Sequence, residues 1–245
     1  MLSKNEVKYI QSLGHKKRRG EESLFLAEGS KLVAEFIREI PAQIFRLYAT
    51  EEFFQTQPGA DKIADKRVIS EEELERISQL QTPNQALAII NYFPVKEITK
   101  LENDWFLALD GIRDPGNMGT IIRLADWFGI KTIICSPDCA DVYNPKVVQA
   151  TMGSIMRVNV LEKDLYTFLA DQQLPIIGAV LGGEELSSFK FPVAGVLVIG
   201  NEANGISNEV IRLLKHQLMI PRFGEAESLN AAIATSIFLW EMKRS

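Results

Sequence analysis

From residue 105 to residue 221, short apolar runs alternate with stretches of helix length, and this alternation limits the fold more than any other property of the chain. The runs are WFLALD (105–110), KTIICS (131–136), PIIGAV (175–180), GVLVIG (195–200) and HQLMIP (216–221). They are nearly continuous rather than strictly alternating, as expected of strands covered on both faces. The covering helices are read near 117–128, 144–153, 162–172, 207–215 and 228–242. The pattern predicts a parallel α/β sheet, which takes ligands where its strands give way to helices.

The first 93 residues read as a smaller α/β unit. Residues 3–13 are predicted to be an amphipathic helix capped by Ser3, followed by a loop at GHKKRRG (14–20). SLFLAEG (23–29) is a strand, SKLVAEFIREI (30–40) a helix closed by Pro41, and IFRLYAT (44–50) a strand leading into another helix. Ser70 and Glu73 form a capping-box pattern that opens a helix to about Leu80, and QALAIINYF (85–93) is the closing strand. The polar stretch PVKEITKLEND (94–104) breaks the periodicity and reads as a linker. The expected organisation is therefore a unit over 1–93, a linker over 94–104 and a second unit over 105–245.

Composition removes several chemistries. The chain has 46% hydrophobic and 24% charged residues, and its longest apolar runs are strand-sized, so no membrane span is expected. The N-terminal MLSKNEVKYI lacks an apolar signal core, which reads as cytoplasmic. His15 and His216 are the only histidines and lie outside the segments described next, so neither a zinc hydrolase nor a histidine triad is expected, and no metal. Cys135 and Cys139, spaced CxxxC with no nearby His, read as a strand-end and a loop cysteine in a reducing compartment, with an unusual metal or redox pair as the alternative. Net charge is −5, but Lys16, Lys17, Arg18 and Arg19 are consecutive cations, either a solvated run or a grip on phosphate.

Three segments place Gly, Asn, Ser, Glu or Arg where a buried strand meets a helix: residues 108–129, 196–207 and 220–241. In the first, Gly116 and Gly119 permit close backbone approach, Asn117 sits where an N-cap belongs, and Arg123 follows on the helix. The glycines at 111, 116 and 119 do not fit the GxGxxG loop of a dinucleotide-dependent oxidoreductase. In the second, Gly200 and Glu202 end a strand beside an approaching helix terminus. In the third, Pro221 ends a strand and Ser228-Leu229-Asn230 opens a helix, with Ser228 as a candidate cap.

DPGNMGTIIRLADWFG, IGNEANGIS and IPRFGEAESLNAAIA, in this order and spacing, resemble the three motifs of the SpoU (TrmH-like) branch of the SPOUT methyltransferases. The LAEGSKLVAE stretch resembles the ribosomal-protein-like substrate-binding domain that precedes that catalytic domain. The resemblance implies a parallel-sheet SPOUT domain with a C-terminal trefoil knot, a homodimer, and S-adenosylmethionine as donor to an RNA ribose 2′-hydroxyl. It also implies catalytic or RNA-contacting roles for Asn117, Arg123, Glu202, Ser228 and Asn230, and cofactor contacts at Gly200, Ile220 and Leu229. Met118, Ala203 and the Ala231-Ala232-Ile233 run depart from the commoner motif residues without changing a polar catalytic position.

The resemblance makes Arg123 a general base assisted by an RNA phosphate. A guanidinium with a pKa above about 12 is an awkward base, so Arg123 is read here as stabilising developing alkoxide charge and gripping phosphate. Ribosomal RNA is the favoured substrate; a transfer-RNA 2′-O-methyltransferase and a non-catalytic RNA-binding ribosome-assembly protein of the same fold are the alternatives.

Overall fold

In the computed structural model, which describes residues 1–244, the first unit comprises Met1–Pro94 with Tyr143–Gly153. Helix α1 (Lys4–Ser12) opens on Ser3, whose hydroxyl accepts from the Glu6 N–H at 3.2 Å, and buries Val7 and Ile10. There follow α2 (Lys16–Glu22), β1 (Leu24–Glu28), α3 (Ser30–Glu39), β2 (Ile44–Ala49), α4 (Glu51–Thr56), β3 (Lys66–Val68), α5 (Glu71–Ile77) and β4 (Ala86–Asn91). The sheet order is β1-β4-β2-β3, with β4 antiparallel to both neighbours and β3 parallel to β2. The Ser70–Glu73 capping box is present at the start of α5, which ends at Ile77 rather than near Leu80. Strand β3 escaped the sequence reading because all three of its residues are exposed and carry no apolar pattern.

GHKKRRG is a helix, not a loop, over Lys16–Glu22. Arg18 reaches Glu21 at 3.3 Å and Glu22 at 2.5 Å, one turn further on, which favours the helical backbone. Arg19 is 1% exposed, and its Nη1 donates to the carbonyls of Leu13 and Gly14 at 2.9 and 2.7 Å. The four cations thus differ: Lys16 and Lys17 are exposed, Arg18 is paired and Arg19 is inside.

The second unit holds Val95–Val142 and the chain from Ser154 onward. Its elements begin with β5 (Trp105–Asp110), α6 (Pro115–Trp127) and β6 (Thr132–Cys135). Helix α7 (Pro145–Thr151) comes next in sequence but packs against β1 of the first unit, where Tyr143 stacks on Tyr92 with ring centres 3.9 Å apart. Then come β7 (Asn159–Glu162), α8 (Leu165–Ala170), β8 (Ile176–Glu185), β9 (Gly195–Gly200), α9 (Asn208–Ile211), β10 (His216–Met219) and α10 (Ala231–Arg244). The six strands run in the order β10-β8-β9-β5-β6-β7, and every neighbouring pair is parallel.

Central β5 and β9 carry the core: Leu107, Ala108, Leu109, Val196, Leu197 and Val198 have no exposed surface. Each buried Leu or Val contributes roughly 1.5–3 kcal/mol, so the frame beneath the loops is rigid. Edge strand β7 carries little apolar signal because it is partly exposed, and its last residue, Glu162, falls at the start of the helix expected over 162–172; α8 instead begins after Asp164, whose Oδ1 accepts from the Thr167 N–H at 2.8 Å. Between β8 and β10 the register jumps from Gln217↔Gly178 to Leu218↔Glu184, so residues 179–183 leave the ladder.

Candidate active site

The parallel pairing of β5 with β9 sets Asp110 opposite Gly200, bringing the first and second segments to one sheet end. Asp110 Oδ2 accepts from the Ser207 N–H at 2.7 Å, tying the strand end to the entry of α9. Gly200 is required sterically, because a Cβ there would overlap the backbone of Gly205 and Ile206. Asn201 holds the turn that causes this approach. Its backbone exchanges hydrogen bonds with Gly205 at 3.0 and 2.8 Å, and its Oδ1 accepts from Ala203 and Asn204. Its Nδ2 donates to the Gly111 carbonyl at 2.8 Å, fastening the turn to the first segment.

The loop from β5 to α6 is clasped on its other side by the turn after β6. Gly111, at φ +71°, donates to Ser136 Oγ at 2.9 Å, the Ile112 N–H donates to Cys139 Sγ at 3.2 Å, and Arg113 pairs with Asp138 at 3.0 Å. The Cys139 thiol is lowered to about 7, chiefly by its hydrogen bond with Cys135, while burial opposes the shift. The arginine and the Ser136 hydroxyl hold Asp138 below the usual carboxylate range, the hydroxyl contributing most.

Asn117 is not the cap of α6. Asp114 is, accepting from the Asn117 N–H at 2.8 Å with Pro115 at the first helical position. The side chain of Asn117 is thereby left for other work: its Nδ2 donates to Glu202 Oε1 at 2.5 Å and its Oδ1 accepts from Asn230 Nδ2 at 2.8 Å. Helix α10 begins one residue after Asn230, whose Oδ1 accepts from the N–H groups of Ala232 and Ile233 at 3.0 and 3.2 Å. Asn230, not Ser228, therefore caps that helix. One residue from each of the three segments joins a single chain of hydrogen bonds, Glu202–Asn117–Asn230.

Beside this chain lies a cavity of about 920 Å³, walled by Gly200, Glu202, Ile220, Ser228 and Leu229 among others. Its apolar floor includes Phe238 of α10, and the residues that leave the β8 ladder contribute Ala179, Val180 and Leu181. The apolar run PIIGAV predicts a plain strand and gives no sign of this last wall. Asp114 and Asn201 were also missed, although Asp114-Pro115 is a cap-then-proline signature and Asn201 opens a tight Asn-Gly-containing turn.

Arg123 does not join the chain of side chains. It is exposed on α6, six residues and so about 120° around the helix from Asn117, and it has no hydrogen-bond or ion-pair partner among the described residues. Trp127, one turn further along the same stripe, is 82% exposed. No group of three or more His, Cys, Asp or Glu side chains among the described residues is placed to hold a metal, and no described helix is long and apolar enough to cross a membrane.

The model of the SpoU rRNA Methylase family matches residues 104–240, and that of the MRM3-like substrate binding domain matches residues 4–88. Over 98% of its length the chain is 27% identical to 97% of RlmP of Bacillus subtilis, a 23S rRNA guanosine 2′-O-methyltransferase. An AdoMet-bound rRNA methyltransferase from Sinorhizobium meliloti superposes with a TM-score of 0.86 at 30% identity, covering 100% of this chain and 97% of that one. A TrmH-family structure from Porphyromonas gingivalis covers both chains completely, with a TM-score of 0.86 at 35% identity. The chain belongs to the SpoU rRNA methylase family.

Proposed function

We propose that this protein methylates a ribose 2′-hydroxyl of RNA, with ribosomal RNA as the substrate and S-adenosylmethionine as the donor. The observation that carries the reading is the Glu202–Asn117–Asn230 chain at the edge of a ligand-sized cavity. Small-molecule sites commonly have roughly 300–1,000 Å³, and the cavity fits that range. The fit to the donor is supported by the backbone cradle at Gly200, which no side chain can enter, and by the apolar surfaces of Ile220, Leu229 and Phe238 for an adenine ring.

When bound, S-adenosylmethionine would supply a sulfonium-bound methyl group: its C–S bond breaks as the ribose oxygen forms its C–O bond, the sulfur leaves as a neutral thioether, and the hydroxyl proton is released to solvent. The residues of this chain hold the acceptor in line, and positioning of this kind supplies a large share of the rate. Asn117 is fixed at both ends of its amide, so its orientation is set before the substrate arrives. Glu202 and Ser228 line the cavity and would orient the ribose and the methionine moiety. Arg123, exposed and without a partner among the described residues, stabilises the developing alkoxide and grips the adjacent phosphate in this account.

The same reading includes a homodimer. Helices α6 and α10 pack together, and their outer surfaces expose Trp127, Ile233 and Trp240 at 82%, 53% and 61%. Large apolar side chains exposed on two packed helices support a covered interface, which would put Arg123 at the subunit boundary. The C-terminal trefoil knot, the cytoplasmic setting, supported by two buried cysteines in no disulfide, and the unit boundaries at 93 and 105 belong to the same proposal. Lys16 and Lys17 are exposed and suit RNA contact, whereas the burial of Arg19 suits a structural role.

Mapping ribose methylation of total RNA from strains with and without the gene tests the function. Loss of a 2′-O-methyl mark in ribosomal RNA is expected; an unchanged ribosomal map, or loss confined to transfer RNA, overturns the ribosomal assignment.

A further inference from the structure

The charges around the cavity suggest how it orients a donor. Only Glu202, Arg222 and Glu227 carry charge among its described lining residues. The Glu202 carboxylate is already engaged by Asn117. Arg222 is exposed, follows Pro221 directly after the Ile220 wall, and has no hydrogen-bond or ion-pair partner among the described residues. Its neighbours Ile220, Pro221 and Phe223 are apolar, and its guanidinium is the one cationic side chain among the described lining residues.

S-adenosylmethionine carries two positive groups, the sulfonium and the α-ammonium, and one negative group, the α-carboxylate. Two carboxylates and one guanidinium line the cavity, the complementary set. We propose that Arg222 holds the α-carboxylate of the methionine moiety, an inference that rests on the donor assignment above. A guanidinium presents paired N–H groups that match a carboxylate in a two-point contact. Anchoring that end of the ligand fixes which way the sulfonium faces, so Arg222 is a binding and orienting residue. It makes no bond to the reacting atoms.

The test is calorimetric titration of the full-length protein with three ligands: S-adenosylmethionine, S-adenosylhomocysteine, which lacks the sulfonium charge, and decarboxylated S-adenosylmethionine, which lacks only the carboxylate. Arg222→Leu should weaken the first two about tenfold, the usual scale for a charged hydrogen-bonded contact. Affinity for the decarboxylated ligand should not change. Arg222→Lys should recover part of the loss, since it restores the charge without the two-point geometry. Because Arg222 is exposed, these variants should fold as the wild type does, and matching unfolding temperatures check this. An equal loss with all three ligands, or no loss with any, overturns the assignment. So does unchanged donor affinity accompanied by weaker RNA binding with a flatter salt dependence, which makes Arg222 a phosphate contact. If the wild type binds none of the three, the donor reading itself fails and the assignment falls with it.

Discussion

Asn230 Nδ2 donates to Asn117 Oδ1 at 2.8 Å while Asn230 Oδ1 accepts from the first turn of α10. One amide therefore serves two purposes, helix capping through its oxygen and site assembly through its nitrogen. Substitutions separate them. Asn230→Asp keeps an acceptor for the helix, so its unfolding temperature should stay within about 2 °C of wild type, but it removes the donor to Asn117. A loss of about 10²-fold in kcat is expected from the misplaced amide. Asn230→Ala removes both functions and should in addition cost about 1 kcal/mol of stability. Thermal unfolding and single-turnover methyl transfer on the two variants check the separation.

Arg123 separates a base from a charge stabiliser. If it stabilises alkoxide charge, Arg123→Lys keeps a cation but loses the fork geometry, and activity should fall with the pH–rate profile unmoved. A profile shifted toward the lower pKa of lysine, with most activity retained, would show that this residue removes the proton.

Arg19 and Lys17 are two residues apart and should behave in opposite ways. Arg19→Ala leaves the Leu13 and Gly14 carbonyls without their buried donor and should cost about 1–3 kcal/mol in stability. Lys17→Ala should leave stability alone and reduce the salt slope of RNA binding by about one. Chemical denaturation together with RNA titrations at several salt concentrations distinguishes them.

The contrast between these cations shows what the sequence made legible and what it did not. The order of elements in the second unit follows from the apolar runs, because strands buried on both faces declare themselves by composition. The motifs also located Asn117, Glu202 and Asn230, yet their direct contact depends on strand order, with β9 beside β5, which no local pattern encodes. Arg19 looked like its three neighbours because charge alone does not reveal burial; the carbonyls that satisfy it lie at the end of the preceding helix. The 179–183 wall depends on a register jump between two strands far apart in sequence. Exposed β3 and half-exposed β7 carried too little apolar signal to be read.

Glu28 gives a pH signature in the first unit. Its carboxyl is buried and accepts from Ser78 Oγ and, at 3.0 Å, from the Gln79 N–H. Burial raises its pKa above the usual value, outweighing those two hydrogen bonds, which lower it. Because the folded protein holds this proton more tightly than the unfolded chain, the stabilising contribution is complete below about 4.5 and is lost as pH rises through the raised folded value. Glu28→Gln keeps an acceptor without a charge to bury. The stability difference, wild type minus variant, should therefore fall as pH rises from 4 to 7, as measured by calorimetry at matched ionic strength. A difference that grows with pH would contradict the burial account.

The central claim is transfer of a methyl group to a ribose oxygen at the site where the three segments meet. Its most direct measurement uses purified protein, S-adenosylmethionine with an isotopically labelled methyl group, and ribosomal RNA, followed by digestion to nucleosides and mass spectrometry. The account predicts label in a 2′-O-methylnucleoside, reduced about 10²-fold by Asn117→Ala. Label on a base, or no label in any nucleoside while the protein binds the donor, would contradict it.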